Sequence, residues 1–214
     1  MKQIIKSILE HIGFAIHFLY PQLIVERLSA VKSHIYTGYL KHQFGLWGKG
    51  SVIAYKAMAL KGLKYISIGK DVQICSGIQL TAWDYYENQK YKPSIIIGNN
   101  CNIRENAHIT AINKIYIGDN LLTGTNILIT DNSHGDITRE QMDIHPQLRP
   151  LSSKGPVYIG NNVWIGNNVC ILPGTSIGDG CIIAANSIVT KNIPAYCVAA
   201  GAPAQIIKNL NKNQ

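Results

Sequence analysis

The sequence predicts a mainly β protein, a three-sided parallel solenoid, and three observations carry that expectation. Residues 159–194 divide without a slip into IGNNVW, IGNNVC, ILPGTS, IGDGCI, IAANSI and VTKNIP. The same register recurs upstream in the triplets Ile68–Ile74–Leu80, Ile97–Ile103–Ile109 and Ile117–Thr123–Ile129. Aromatic residues (8%) and charged residues (15%) are sparse, which suits an interior built from one residue type used many times.

At the N-terminus, Ile4, Ile5, Ile8, Leu9, Ile12, Ala15, Ile16 and Leu19 recur at steps of three and four, the spacing of an amphipathic helix. Lys2 and Lys6 stand near its start. Such a helix packs on the rest of the protein or on a sister subunit, or it rests on a membrane surface. The apolar run 12–19 is too short to span a bilayer, and no small-residue cleavage site follows it. Residues 1–64 hold nine Lys/Arg against Glu10 and Glu26, so they carry +7 of the net +8. A basic segment of this kind is either a solvated face or a partner for anionic headgroups. No helix-turn-helix, RNA-recognition or zinc-finger pattern accompanies it, so no nucleic-acid partner is expected. Residues 1–65 are therefore expected to form a helical, basic cap.

Residues 66–203 are expected to form the solenoid. A period of six matches neither the helical repeat of about 3.6 nor the strand repeat of about 2. It fits a short strand followed by a tight corner. Three units return the chain to its starting azimuth, and the next coil stacks about 4.8 Å above. Twelve of the fifteen leading positions are Ile, whose β-branch suits a flat, stacked interior. The pairs Asn99–Asn100, Asn161–Asn162 and Asn167–Asn168 read as corner formers, because Asn tolerates unusual dihedrals. Two insertions interrupt the register, at 81–96 with Trp83 and three tyrosines, and at 135–156 with three prolines. Long loops in a compact domain are usually functional. Residues 204–214 are expected to end the chain as a short helix. The odd count of five cysteines, with no C-x-x-C pair, indicates neither a disulfide framework nor a zinc ribbon and fits a reducing compartment.

The second insertion leaves the coil directly after Asp131-Asn132-Ser133-His134-Gly135. A histidine at the root of a loop on a rigid coil is a natural general base, because imidazole titrates near neutrality. The competing reading is a corner residue that hydrogen-bonds the loop. A zinc site would need three converging imidazoles. By register His108 and His134 are expected to project from different corners, so no metal is expected. No nucleophile elbow, phosphate loop or dinucleotide fingerprint occurs, which favours direct transfer over a covalent intermediate. Asp131 is expected to orient His134 or an acceptor hydroxyl.

Two stretches, PVYIGNNVWIGNNVCILPGTSIGDGCIIAANSIVTKNIPAYCVAAGAPAQIIK and IGDNLLTGTNILITDNSHGD, resemble the hexapeptide-repeat acetyltransferases. The likeness is to the galactoside, maltose and nodulation-factor branch, and most of all to the cell-surface polysaccharide O-acetyltransferases. The resemblance covers about residues 66–208 and implies a left-handed parallel β-helix. It implies an acetyl-CoA-dependent O-acetyltransferase acting on a sugar hydroxyl of a polysaccharide or lipopolysaccharide, with His134 as base. It implies that Trp164 and the Asn167 N–H lie beside the thioester, that Ala185, Thr190 and Lys191 hold the pantetheine arm, and that Gln205 and Lys208 stand at the nucleotide phosphate. Gln205 departs from the family's basic residue. Arg104 stands where the family has an acceptor-binding Asn, and Asn106 is its expected substitute. A homotrimer with sites between subunits is implied, in the cytoplasm or at the inner membrane face. Two alternatives stand beside this one, a xenobiotic O-acetyltransferase and a non-catalytic scaffold.

Overall fold

The computed structural model describes residues 2–211, so the last three residues of the expected C-terminal helix lie outside it. Two helices open the chain, α1 (Lys2–Leu19) and α2 (Gln22–Leu40). The first follows the three- and four-residue spacing of the sequence; the second has no comparable apolar stripe to announce it. The rest is a parallel β-helix with three faces. The first face is a six-stranded sheet from Leu46–Trp47 to Ser176–Ile177, the second an eight-stranded sheet from Val52–Ile53 to Ala204–Asn209, and the third a six-stranded sheet from Ala59–Lys61 to Ile188–Val189.

The leading residues point inward and stack. Ile97 pairs with Ile117, Ile117 with Ile159 and Ile159 with Ile177 on the first face. Leu80, Ile109, Ile129, Ile171 and Val189 form one such column on the third. All fifteen are buried. At about 25 cal/mol per Å² of apolar area, these columns are the main favourable term in the fold. Thr123, the one polar leader, accepts a hydrogen bond from the Arg104 N–H at 2.9 Å, so its buried hydroxyl is not orphaned.

The corners are asparagine ladders. Asn106, Asn126, Asn168 and Asn186 all have φ of 56–60°, and their side-chain amides bond in series at 3.1, 3.2 and 3.1 Å. Asn is favoured there because its short polar side chain bonds locally in the left-handed region. Asn106 is therefore a corner residue. It stands between the second and third faces, the breadth of the third face away from His134 within one chain. Arg104 lies near the same corner, with Nε 3.3 Å from Glu105.

Two boundaries differ from expectation. The coil begins at Leu46, twenty residues early, because Leu46–Trp47 already pairs with Ser67–Ile68. Of its three leading positions only Ile53 is Ile, Trp47 and Leu60 being the others, and the step from 53 to 60 is seven residues, which hides this turn from the repeat. Residues 204–209 are a strand, not a helix; they turn back at Pro203 and pair antiparallel with Cys197–Gly201, which covers the last coil's open edge. At the other end α2 caps the first coil. The Thr37 hydroxyl accepts from Ile53 N (3.0 Å) and donates to Ile53 O (3.2 Å), and Ser33 Oγ accepts from Tyr55 N (3.1 Å). Among the described residues no single helix is long and apolar enough to cross a membrane.

Candidate active site

From the second coil onward, every insertion into the repeat leaves at the edge between the third face and the first. Residues 83–93, 112–113 and 132–156 all follow a third-face strand. The reason is register. An extra residue within a strand would turn its inward leader outward, whereas extra residues at a corner leave every column intact. The consequence is that all irregular chain gathers on one edge.

His134 stands on that edge, exposed, in a two-residue strand (Ser133–His134) paired antiparallel with Leu151–Ser152. Its ring meets Tyr86 edge-on, with centroids 5.3 Å apart at 70°. Tyr86 belongs to a hairpin, Tyr85–Tyr86 with Gln89–Lys90, formed by the first insertion. The hairpin and the second insertion are clipped together, since Tyr86 Oη donates to Gln147 O (2.7 Å) and Tyr91 Oη to Leu151 O (2.9 Å). Between them they wall His134 on two sides.

Two cavities meet at the imidazole. One, about 440 Å³, lies toward the C-terminal coils and is lined by His134, Leu172, Pro173 and Thr190 with Arg149, Lys154 and Asp136. It carries two cations against one carboxylate. Arg149 is held by its own loop, with Nε donating to Ile144 O at 2.9 Å. The other, about 420 Å³, lies toward the N-terminal coils over the third face, lined by Gln79, Thr81, Trp83, Tyr86, His108 and Thr110 among others. His108 and His134 thus line one cavity, which corrects the expectation that they diverge. They come together because His108 faces outward from a strand whose neighbour, Leu128–Thr130, runs on to His134. Burial holds the His108 imidazole below its ordinary pKa, which favours its neutral form.

Asp131 does not touch His134, so the expected orienting role is corrected. It is fully buried. Its carboxylate accepts from Ile112 N and Asn113 N, both at 2.9 Å, and from the Asn132 amide at 3.1 Å. Burial pushes its pKa up, against the opposing pull of those N–H groups. It pins the 112–113 turn of the coil beneath.

The remaining expected residues divide. Thr190 and Lys191 are exposed on the edge that carries His134. Trp164, 53% exposed, faces outward from the second face. Asn167 and Ala185 are exposed at the corner between the second and third faces, and Asn167 Oδ1 accepts from Thr125 N at 2.9 Å. Gln205 and Lys208 are exposed on the terminal strand of the second face. The breadth of the third face separates these five from His134 within one chain. Sequence reasoning misses the floor formed by Thr81, His108 and Thr110, since outward residues on the strands carry no repeat signal. Trp83 and the tyrosines are visible there only as an aromatic insertion. No cluster of three or more His, Cys, Asp or Glu suited to a metal occurs among the described residues.

Residues 156–191 match the family model described as bacterial transferase hexapeptide (six repeats). The coil resembles that of AntD, an N-acyltransferase from Bacillus cereus crystallised with dTDP and coenzyme A, with a TM-score of 0.64 at 21% identity over 80% of this chain and 88% of that one. Repeat and fold together define the class of architecture, a left-handed parallel β-helix built on six-residue units.

In sequence the chain is 40% identical over 121 residues to WbbJ of Escherichia coli, an O-acetyltransferase provisionally named for lipopolysaccharide biosynthesis, covering 55% of this chain and 61% of that protein. It is also 40% identical over 123 residues to galactoside O-acetyltransferase of the same organism, covering 56% and 57%. The chain therefore spans less than two thirds of the length of the curated relatives it matches.

Proposed function

We propose that this protein is an acetyl-CoA-dependent O-acetyltransferase acting on a sugar hydroxyl of a polysaccharide or lipopolysaccharide, with His134 as general base. The observation that carries this reading is the imidazole standing where a basic cavity and an uncharged one meet. The basic side suits a donor that bears phosphates, and the other suits a hydroxylated acceptor. The likeness to two O-acetyltransferases supports the reaction class.

In this mechanism His134 takes the proton from the acceptor hydroxyl as its oxygen attacks the thioester carbonyl carbon. The carbon–sulfur bond then breaks, and the imidazolium returns its proton to the departing thiolate. Negative charge developing on the carbonyl oxygen needs a fixed donor, and the Asn167 N–H is the candidate. Because Trp164, Asn167 and Ala185 lie a face away from His134, Thr190 and Lys191, a second copy must present them. We therefore expect a homotrimer with three shared sites, working in the cytoplasm or against the inner membrane face. The exposed apolar residues of α1, among them Ile8, Leu9 and Ile12, are consistent with either a subunit or a membrane neighbour.

The test is thiol release from acetyl-CoA with a sugar panel, beside a CoA titration. His134→Ala should lower kcat by about 10²–10⁴ while CoA affinity and oligomeric state persist. Unchanged turnover removes His134 from the chemistry. Absence of CoA binding by the wild type leaves the scaffold reading.

A further inference from the structure

The cavity over the third face differs from its neighbour in one respect that bears on what it holds. Of its thirteen lining residues none is Asp, Glu, Lys or Arg. Its walls are nonetheless rich in groups that exchange hydrogen bonds with hydroxyls. Trp83 Nε1 donates to Thr81 Oγ1 (3.2 Å), which donates to Thr110 Oγ1 (2.9 Å). Thr110 accepts in that chain and keeps its own proton to give. Among the described residues the side chains of Gln79 and His108 make no hydrogen bond within the protein, so both are available to a ligand. A neutral imidazole both donates and accepts.

One wall is aromatic. Trp83 and Tyr86 meet edge-on with centroids 5.7 Å apart, and Lys61 Nζ lies 3.5 Å over the Trp83 ring. Tyr86 in turn abuts His134. These contacts fix the rings, together with the Tyr86–Gln147 and Tyr91–Leu151 bonds, before any ligand arrives. A preorganised wall of this kind costs little ordering on binding.

Resting on the acetyltransferase reading above, we propose that this cavity is the acceptor subsite and takes an uncharged pyranose. The C–H face of the ring lies on the Trp83–Tyr86 wall, and its hydroxyls are read by Gln79, His108 and Thr110. One hydroxyl reaches His134 at the cavity mouth. The 83–93 hairpin is then the specificity element, built outside the repeat and attached to the catalytic loop by two tyrosine hydroxyls. A carboxylate or phosphate on the ring would enter a site with no Lys or Arg among its lining residues, the nearest cation of that wall, Lys61, being stacked over the Trp83 ring, and an unpaired charge there is costly. Uncharged sugars are therefore selected over acidic ones.

The experiment uses the full-length protein, acetyl-CoA, and five acceptors: the methyl glycosides of galactose, glucose and N-acetylglucosamine, with glucuronic and N-acetylneuraminic acids as charged probes. At least one uncharged pyranose should be acetylated, and the acidic sugars at least about ten-fold less efficiently by kcat/KM. Trp83→Ala and Gln79→Ala should each raise the acceptor KM about ten-fold, with acetyl-CoA KM shifted less than two-fold. Gln79 faces outward from a strand, so its variant tests the site even where loss of Trp83 loosens the hairpin. Preference for an acidic sugar, no turnover of any uncharged pyranose while CoA binds, or unchanged acceptor KM in both variants overturns the assignment. Failure of CoA to bind the wild type would instead sink the acetyltransferase reading, so the two outcomes are distinct.

Discussion

Replacing Asp131 by Asn separates a structural carboxylate from a catalytic one. The carboxylate serves two backbone donors, Ile112 N on Oδ1 and Asn113 N on Oδ2, each at 2.9 Å. An asparagine keeps one accepting oxygen and turns a donor toward the other N–H. One buried donor is then unsatisfied, at a cost of about 1–3 kcal/mol. For a domain of this size that lowers Tm by about 2–12 °C. The pH dependence adds a second signature. Burial raises the carboxyl pKa above its unfolded value, so its ionisation weighs against the folded state. The stability it contributes is full below the unfolded pKa and declines as pH rises through the folded one. The wild type should therefore gain on Asp131→Asn as pH falls from neutral toward about 4. Thermal melts of both proteins across that range, with turnover measured well below either Tm, provide the assay. Asp131→Asn should show a lower Tm with turnover preserved to within a few-fold. Turnover reduced by about two orders of magnitude at unchanged Tm, the scale of a lost acid–base group, would refute it and return Asp131 to the base.

Other predictions concern the scaffold. Asn126 has φ +57° and bonds both Asn106 and Asn168. Asn126→Ala should cost about 1–2 kcal/mol through the left-handed backbone alone, and Asn126→Gly less, by denaturant titration. Thr37→Val removes both bonds to Ile53 at the coil's open end. It should cost about 1–3 kcal/mol and speed amide exchange at Ile53, with the later coils unaffected.

Much of this can be read along the chain. The hexad register yields the three columns, and all fifteen leaders are inward because a short strand and a tight corner leave one inward position per unit. The paired asparagines behave as corner formers for the same local reason. His134 stands out by where the repeat breaks. Legibility fails where the determinant is not local. The first coil, at Leu46–Lys61, has Ile53 as its one Ile leader beside Trp47 and Leu60, breaks the six-residue step between 53 and 60, and is held by stacking on the coil above and by Thr37 and Ser33 of α2. The terminal strand reads as a helix in sequence because its short apolar run suits both, and only an open sheet edge chooses between them.

Asp131 and Asn106 show the same limit at the site. Both are polar, close in sequence to plausible chemistry, and committed instead to backbone or ladder bonds visible only in three dimensions. Composition and period determine the coil, because each residue's inward or outward choice depends on its place in the hexad. The cavity beside His134 is not determined that way. Its lining comes from successive coils, among them Gln79, His108, Thr110 and Leu128, and from Trp83, Tyr86 and Leu151 of the two insertions, brought side by side by stacking. Outward positions obey no repeat, so only the folded coil determines which of them meet.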